Sequence, residues 1–138
     1  MRTFIDTHVL IYWVDDSARA GTVESLLEGE CVLSVQVLNE FANVLRKKRA
    51  MPLADIQSLC GTLINTCEVY DLSVRTHQTA LALMERYSLS LYDANIVAAA
   101  GLSGCTVLYS EDMQDGLNIQ YHASTVTFSL SIRNPFRR

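Results

Sequence analysis

The sequence predicts a three-layer α/β/α fold around a mainly parallel sheet of four to five strands. Two observations carry this. Short apolar, β-branched runs alternate along the chain with segments whose apolar residues recur at helical spacing. Strands separated by helices in this way pair in parallel and are covered on both faces.

Taken in order, Arg2 to Ile5 is apolar and alternating, as suits a first strand. Asp6 is placed to cap a helix over Thr7 to Val14. Ala18 to Glu28 spaces Val23, Leu26 and Leu27 for one helical face, with Gly29 as its stop. Cys31 to Ser34 is a short buried strand. Val35 to Lys48 keeps Val37, Leu38, Phe41, Val44 and Leu45 in helical register. Pro52 suits the first turn of a helix carried on by Ile56, Leu59, Leu63 and Ile64. Glu68 to Tyr70 is strand-like. Ser73 caps a helix whose predicted inward face is Val74, His77, Leu81 and Met84. A break at Ser88 to Ser90 precedes a helix from Leu91 to Leu102, which ends near Gly101 and Gly104. Thr106 to Tyr109 is β-branched and strand-like, and Asn118 to Tyr121 and Thr125 to Phe128 are candidate late strands.

With 138 residues and no repeat, linker or low-complexity segment, residues 1–138 read as a single domain. The chain is 49% hydrophobic and 19% charged, an ordinary globular balance that argues against disorder. No apolar run approaches a bilayer span, and Val9 to Val14 is too short and too closely flanked by acids for a signal peptide. Cys31, Cys60, Cys67 and Cys105 lack CxxC spacing and read as small core residues of a reducing compartment, with the cytoplasm as the expected location. A net charge of −4 does not advertise nucleic-acid binding. The positive charge is clumped, however, in Arg46-Lys47-Lys48-Arg49 and in Arg133, Arg137 and Arg138. The first block is either a solvated helix end that complements the helix dipole or a phosphate-contacting patch.

Four acids fall where such a chain delivers side chains to one rim of its sheet. Asp6 ends the first strand, Glu40 lies early in the helix after the second, Asp93 opens the helix before a later strand, and Asp112 follows that strand. Carboxylates gathered together repel one another unless a cation sits among them. A divalent metal site is therefore expected, with phosphoryl-bond cleavage as its commonest chemistry. Each acid also has a plainer role. Asp6 can be a helix cap, and Ser90-x-x-Asp93 can be a capping box. Glu40 can be a solvated edge residue, and Glu111-Asp112-x-x-Asp115 a surface turn. Asp93 shares its stripe with Ile96, Val97 and Ala100, and no Lys or Arg on that helix is available to pair it.

Four stretches then become familiar: Phe4-Ile5-Asp6-Thr7-His8-Val9-Leu10, Val35-Gln36-Val37-Leu38-Asn39-Glu40-Phe41, Tyr92-Asp93-Ala94-Asn95-Ile96-Val97-Ala98-Ala99-Ala100 and Leu108-Tyr109-Ser110-Glu111-Asp112-Met113-Gln114. In this order they resemble the motifs of PIN-domain proteins, and more narrowly those of VapC-type ribonuclease toxins of bacterial toxin–antitoxin pairs. Asn134-Pro135-Phe136 is similar to that group's ending. The resemblance implies a Mg²⁺- or Mn²⁺-dependent endoribonuclease that leaves 5′-phosphate and 3′-hydroxyl ends. Asp6 and Asp93 match its metal ligands, with Asp112 completing the shell and Glu40 ligating a second ion or holding the attacking water. Ser110 stands where the family has a small hydroxyl residue, and Thr7 and Asp115 are secondary candidates. His8 replaces a more usual asparagine, and Asp115 competes with Asp112 to face the metal. The resemblance further implies a structured RNA substrate (tRNA first, ribosomal RNA second), a homodimer, and an antitoxin that inserts beside the site. Tyr12, Trp13 and Phe41 form either an apolar groove for that segment or core. His77 is expected in the core or an interface, and His122 at the surface.

A haloacid-dehalogenase-type phosphatase would need an Asp where His8 stands and a distant lysine, whereas the only lysines are Lys47 and Lys48. A phospho-receiver domain, with Asp71 after its strand, fails for the same want of a lysine. The alternative from another class is a PIN-like module that binds RNA or protein without cutting. Four intact acids weigh against it.

Overall fold

The computed structural model describes residues 1–15, 18–123 and 125–137. In chain order its elements are β1 (Arg2–Ile5), α1 (Thr7–Ile11) running into a 3₁₀ turn (Tyr12–Val14), α2 (Ala18–Leu27), β2 (Glu30–Ser34), α3 (Val35–Lys48) and α4 (Leu53–Thr66). Then follow β3 (Glu68–Tyr70), α5 (Val74–Tyr87), α6 (Leu91–Leu102), β4 (Val107–Tyr109), β5 (Asn118–Ala123) and β6 (Val126–Arg133). Arg138 of the predicted basic cluster lies outside the described residues.

The sheet has six strands in the order β3-β2-β1-β4-β6-β5, against the four to five expected. All neighbours pair in parallel except β5 and β6, which form an antiparallel pair at one edge. Helices pack around the mainly parallel part, with α1, α3 and α4 in one group and α5 against α6 in another. Central β1 is buried from Thr3 to Ile5, as a strand covered on both faces must be.

Serine caps fix where three helices begin. Ser34, Ser73 and Ser90 each accept a hydrogen bond from the backbone N–H three residues on, which satisfies a donor that the first turn leaves free. Helix α6 is buried from Ile96 to Gly101, and it packs so closely on β6 that a Cβ at Gly101 would collide with the Phe128 ring. Such a helix needs small residues and has no solvent face to advertise its orientation.

Of the predicted inward face of α5, only Met84 packs partly buried against the core, and the other three residues turn outward. Val74 is 74% exposed and Leu81 48%, and His77 is exposed with them. The buried side is Thr76, Thr79, Ala80 and Leu83. His77 is therefore a surface residue, not a core one. Ile64 of α4, also expected inside, is exposed. No helix among the described residues is long and apolar enough to cross a membrane.

Candidate metal centre

Asp6 follows β1 at the rim where the parallel strands end, between β2 and β4. Its backbone N–H donates to the Tyr109 carbonyl at 2.9 Å and so carries the β1–β4 ladder one step past the strand. The carboxylate is 3% exposed. One oxygen accepts from the Thr7 N–H at 2.7 Å, capping α1, and the other from Ser110 Oγ at 2.9 Å. Burial pushes the Asp6 pKa up from 3.8 to about 6 against the lowering effect of those two donors and of His8, and the charge of Asp93 adds to the rise. The cap reading of Asp6 holds, and it leaves room for the other, since a carboxylate with two oxygens can cap a helix and keep lone pairs for a cation.

Ser110, wholly buried after β4, is itself held: Oγ also accepts from the Met113 N–H at 3.2 Å, and its own N–H donates to the Arg133 carbonyl at 3.0 Å. Beyond it the three acids of the run divide. Glu111 turns to the Tyr12 hydroxyl at 2.8 Å and Arg19 at 2.5 Å. Asp115 accepts from the Asn134 N–H at 2.8 Å and so anchors the chain after β6. Asp112 alone of the three joins Asp6, in contact with Nδ1 of His8. One ligand atom each from Asp6, His8 and Asp112 lie within 4.8 Å of one another.

Asp93 is the third residue of α6. Its N–H donates to Ser90 Oγ at 3.1 Å, which is one half of a capping box; the full reciprocal box occurs instead at Ser73 and Thr76. Its carboxylate is pushed up, first by burial and then by the charge of Asp112, while Ser90 and His8 pull it down. Asp93 offers no atom to the group of Asp6, His8 and Asp112, yet its charge bears on Asp6 and that of Asp112 bears on it, and among the described residues His8 is the basic side chain that offsets them.

Glu40 accepts from the Gln36 side-chain amide on α3 at 3.0 Å, and that amide also reaches the carbonyl of Tyr92, the neighbour of Asp93, at a long 3.5 Å. Like Asp93, it offers no atom to the group of Asp6, His8 and Asp112. The basic block is exposed at the far end of α3: Arg46 donates to the Met51 carbonyl at 3.1 Å, and Arg49 pairs with Asp15 at 2.9 Å. A cleft of about 220 Å³ runs from His8 past Tyr12 and Val44 to Lys48 and Arg49, so it links the His8 side of the site to the end of this block, while Asp6, Asp93 and Asp112 are not in its lining. Of the two readings of Tyr12, Trp13 and Phe41, core packing holds for Phe41, which is fully buried with partly buried Trp13 packed on it at 6.4 Å. Tyr12 instead meets Phe136 edge-on at 5.0 Å, and the Arg19 guanidinium lies over both rings. His122 is exposed as expected, with Nδ1 2.7 Å from Thr127 Oγ1.

The donor set suits a divalent cation: hard carboxylate oxygens around one imidazole nitrogen. Thr7 Oγ1, one residue from Asp6, is the one buried side-chain oxygen without a hydrogen-bond partner among the described residues, so a polar ligand at this rim would meet an open need.

The sequence pattern of the PIN domain matches residues 3–114, four-fifths of the chain. The chain belongs to the PIN domain family. No curated protein matches it by sequence. Among solved structures, this PIN chain is similar to a toxin–antitoxin complex from Klebsiella pneumoniae, at 20% identity over 99% of both chains with a TM-score of 0.74. It is similar to VapC20 of Mycobacterium tuberculosis, a toxin that cleaves the sarcin-ricin loop, at 22% identity over 80% of this chain and 89% of that one, TM-score 0.64. It is also similar to VapBC2 of Rickettsia felis bound to promoter DNA, at 18% identity over 81% and 89%, TM-score 0.61. The Klebsiella likeness, which spans nearly the whole chain, extends the shared fold past residue 114 to the β5–β6 pair.

His8, which the sequence already marks as a departure two residues from Asp6, touches the site through Asp112, a partner that the sequence spacing does not name.

Proposed function

We propose that residues 1–138 form a single PIN domain acting as a metal-dependent endoribonuclease toxin of the VapC type. The observation that supports it best is the convergence of Asp6, Asp93 and Asp112 at one rim, each of the first two raised by burial and by a neighbouring acid. A protein gains nothing in stability from such repulsion, whereas a bound cation relieves it.

Asp6, Asp93 and Asp112 hold Mg²⁺ or Mn²⁺, with Asp6 kept rigid by Thr7 and Ser110. A bound divalent ion supplies neutralisation of the phosphodiester and a lowered pKa for coordinated water. Glu40, outside the convergent group and with one oxygen on Gln36, is assigned to orienting the attacking water. Lys48 and Arg49 lie along the cleft and, with Arg46 and Lys47, contact substrate phosphates. By kinship with the toxins of similar fold, the substrate is a structured RNA (tRNA first), the regulator is a cognate antitoxin, the assembly is a homodimer and the location is the cytoplasm.

The test is cleavage of total bacterial RNA by antitoxin-free protein with Mn²⁺, with Mg²⁺ and with EDTA, beside Asp93→Asn. Discrete products requiring both metal and Asp93 are expected, and end sequencing names the substrate. Folded protein that cuts no RNA with either metal would overturn the general nuclease reading in favour of a binding module.

A further inference from the structure

We propose that His8 is itself a metal ligand, an imidazole in an otherwise carboxylate site, and that the centre therefore takes Mn²⁺ in preference to Mg²⁺. The inference rests on the metal-dependent reading above and deepens it.

The geometry is the starting point. A His8 ring nitrogen, an Asp6 oxygen and an Asp112 oxygen lie within 4.8 Å of one another. Ligands around an ion with bonds of about 2.1 Å lie about 3 to 4.2 Å apart, so an ion seated here replaces the direct His8–Asp112 contact and draws the remaining atoms slightly inward. His8 is in the first turn of α1, whose start is fixed by the Asp6 cap, so the imidazole and the buried carboxylate move as one unit. Its ring touches Asp112, a carboxylate of the site, and makes no hydrogen bond to a backbone carbonyl among the described residues. An imidazole meant only to fill space would not be set on the exposed side of three carboxylates.

Thr7, between Asp6 and His8 in the chain, is 2% exposed and its hydroxyl is unpartnered among the described residues, whereas His8 itself is exposed and open to a ligand from solvent.

The choice of metal follows from the donors. Mg²⁺ favours oxygen ligands in a near-ideal octahedron and sheds water reluctantly. Mn²⁺ accepts the same carboxylates but binds imidazole better. A histidine nitrogen among the carboxylate oxygens shifts the site in that direction.

The experiment uses full-length, untagged protein loaded with Mn²⁺, read by electron spin-echo envelope modulation and by calorimetric titration with Mn²⁺ and Mg²⁺. Wild type should show nitrogen-14 modulation, and His8→Asn should lose it while remaining folded by circular dichroism. Removing an outer-shell partner of a metal ligand costs roughly 10–100-fold in affinity. Losing a ligand should therefore weaken Mn²⁺ at least about tenfold, with a smaller change for Mg²⁺. Mn²⁺ that binds, is lost in Asp93→Asn and shows no nitrogen modulation would overturn the His8 assignment and leave the metal reading standing. Folded wild type that binds no Mn²⁺ would remove both.

Discussion

At the rim where its strands begin, the sheet neutralises its charge: the Arg2 guanidinium meets Glu68 at 2.7 Å and donates twice to the Ser103 carbonyl, at 2.8 and 3.1 Å. At the opposite rim Asp6, Asp93 and Asp112 gather like charge, with one histidine to offset it. Sheet, strands and connections are the same, so the asymmetry does not come from the fold. One rim is arranged to be complete without a ligand. The other is less stable than it need be, in the way that binding sites are.

The largest test of this contrast is Asp93→Asn. Removing a ligand should lower RNA cleavage by at least about 100-fold, more than the loss of an outer-shell partner. With EDTA the same variant should unfold no earlier than wild type, because the carboxylate it loses is one whose charge the native state resists. Cleavage within about tenfold of wild type would remove Asp93 from the site.

Asp6→Asn should stabilise the metal-free protein near neutral pH. The rise from 3.8 to about 6 sets an upper limit of about 3 kcal/mol, and asparagine preserves the cap on Thr7. Thermal melts in EDTA check this, and a lower midpoint for the variant would show that Asp6 is needed for stability.

The third test follows from the same shift. A carboxyl whose folded pKa lies above its unfolded value holds its proton better in the native state. Asp6 therefore makes metal-free stability fall as pH rises from about 4 to about 6, and contributes no slope outside that window. Stabilisation by added Mn²⁺ should grow across the same window, because the cation must displace that proton. Denaturant midpoints with EDTA and with Mn²⁺ at both ends of the window read the two slopes, which should have opposite signs.

The smallest effect belongs to the first rim. Glu68→Gln breaks a half-exposed ion pair and should cost at most about 1 kcal/mol, with cleavage unchanged. A loss of cleavage there would mean that the rims are coupled.

Much of this arrangement was legible in the residues, for reasons that also explain what was not. Ser34, Ser73 and Ser90 are local signals, each making its bond within four residues, so α3, α5 and α6 begin where predicted. The face of α5 is not a local property. It is set by how closely α5 approaches α6, where Thr76, Thr79 and Ala80 fit better than Val74 and Leu81, and hydropathy alone chooses wrongly. The rule that helices separate strands fails after β4 because β5 and β6 are joined directly and pair antiparallel. Among the acids, Asp6 and Asp112 could be placed from their strand ends, whereas the side-chain partners of Glu40, Gln36 and through it Tyr92, depend on how α3 meets α6. The place directly after the strand favours Asp112 over Asp115, and a contact far along the chain, the Asn134 N–H, occupies Asp115.

The bond from Ser110 to Asp6 joins residues 104 positions apart. Closing so long a loop costs roughly 4 kcal/mol of chain entropy beyond a constant, an outlay that no local helix or turn can recover. The proposed reactive rim is thus a late product of folding, absent until β4 has docked beside β1. A chain still searching for its structure carries all the same acids but no centre. Any opening that separates those two strands would switch the centre off before the helices melt.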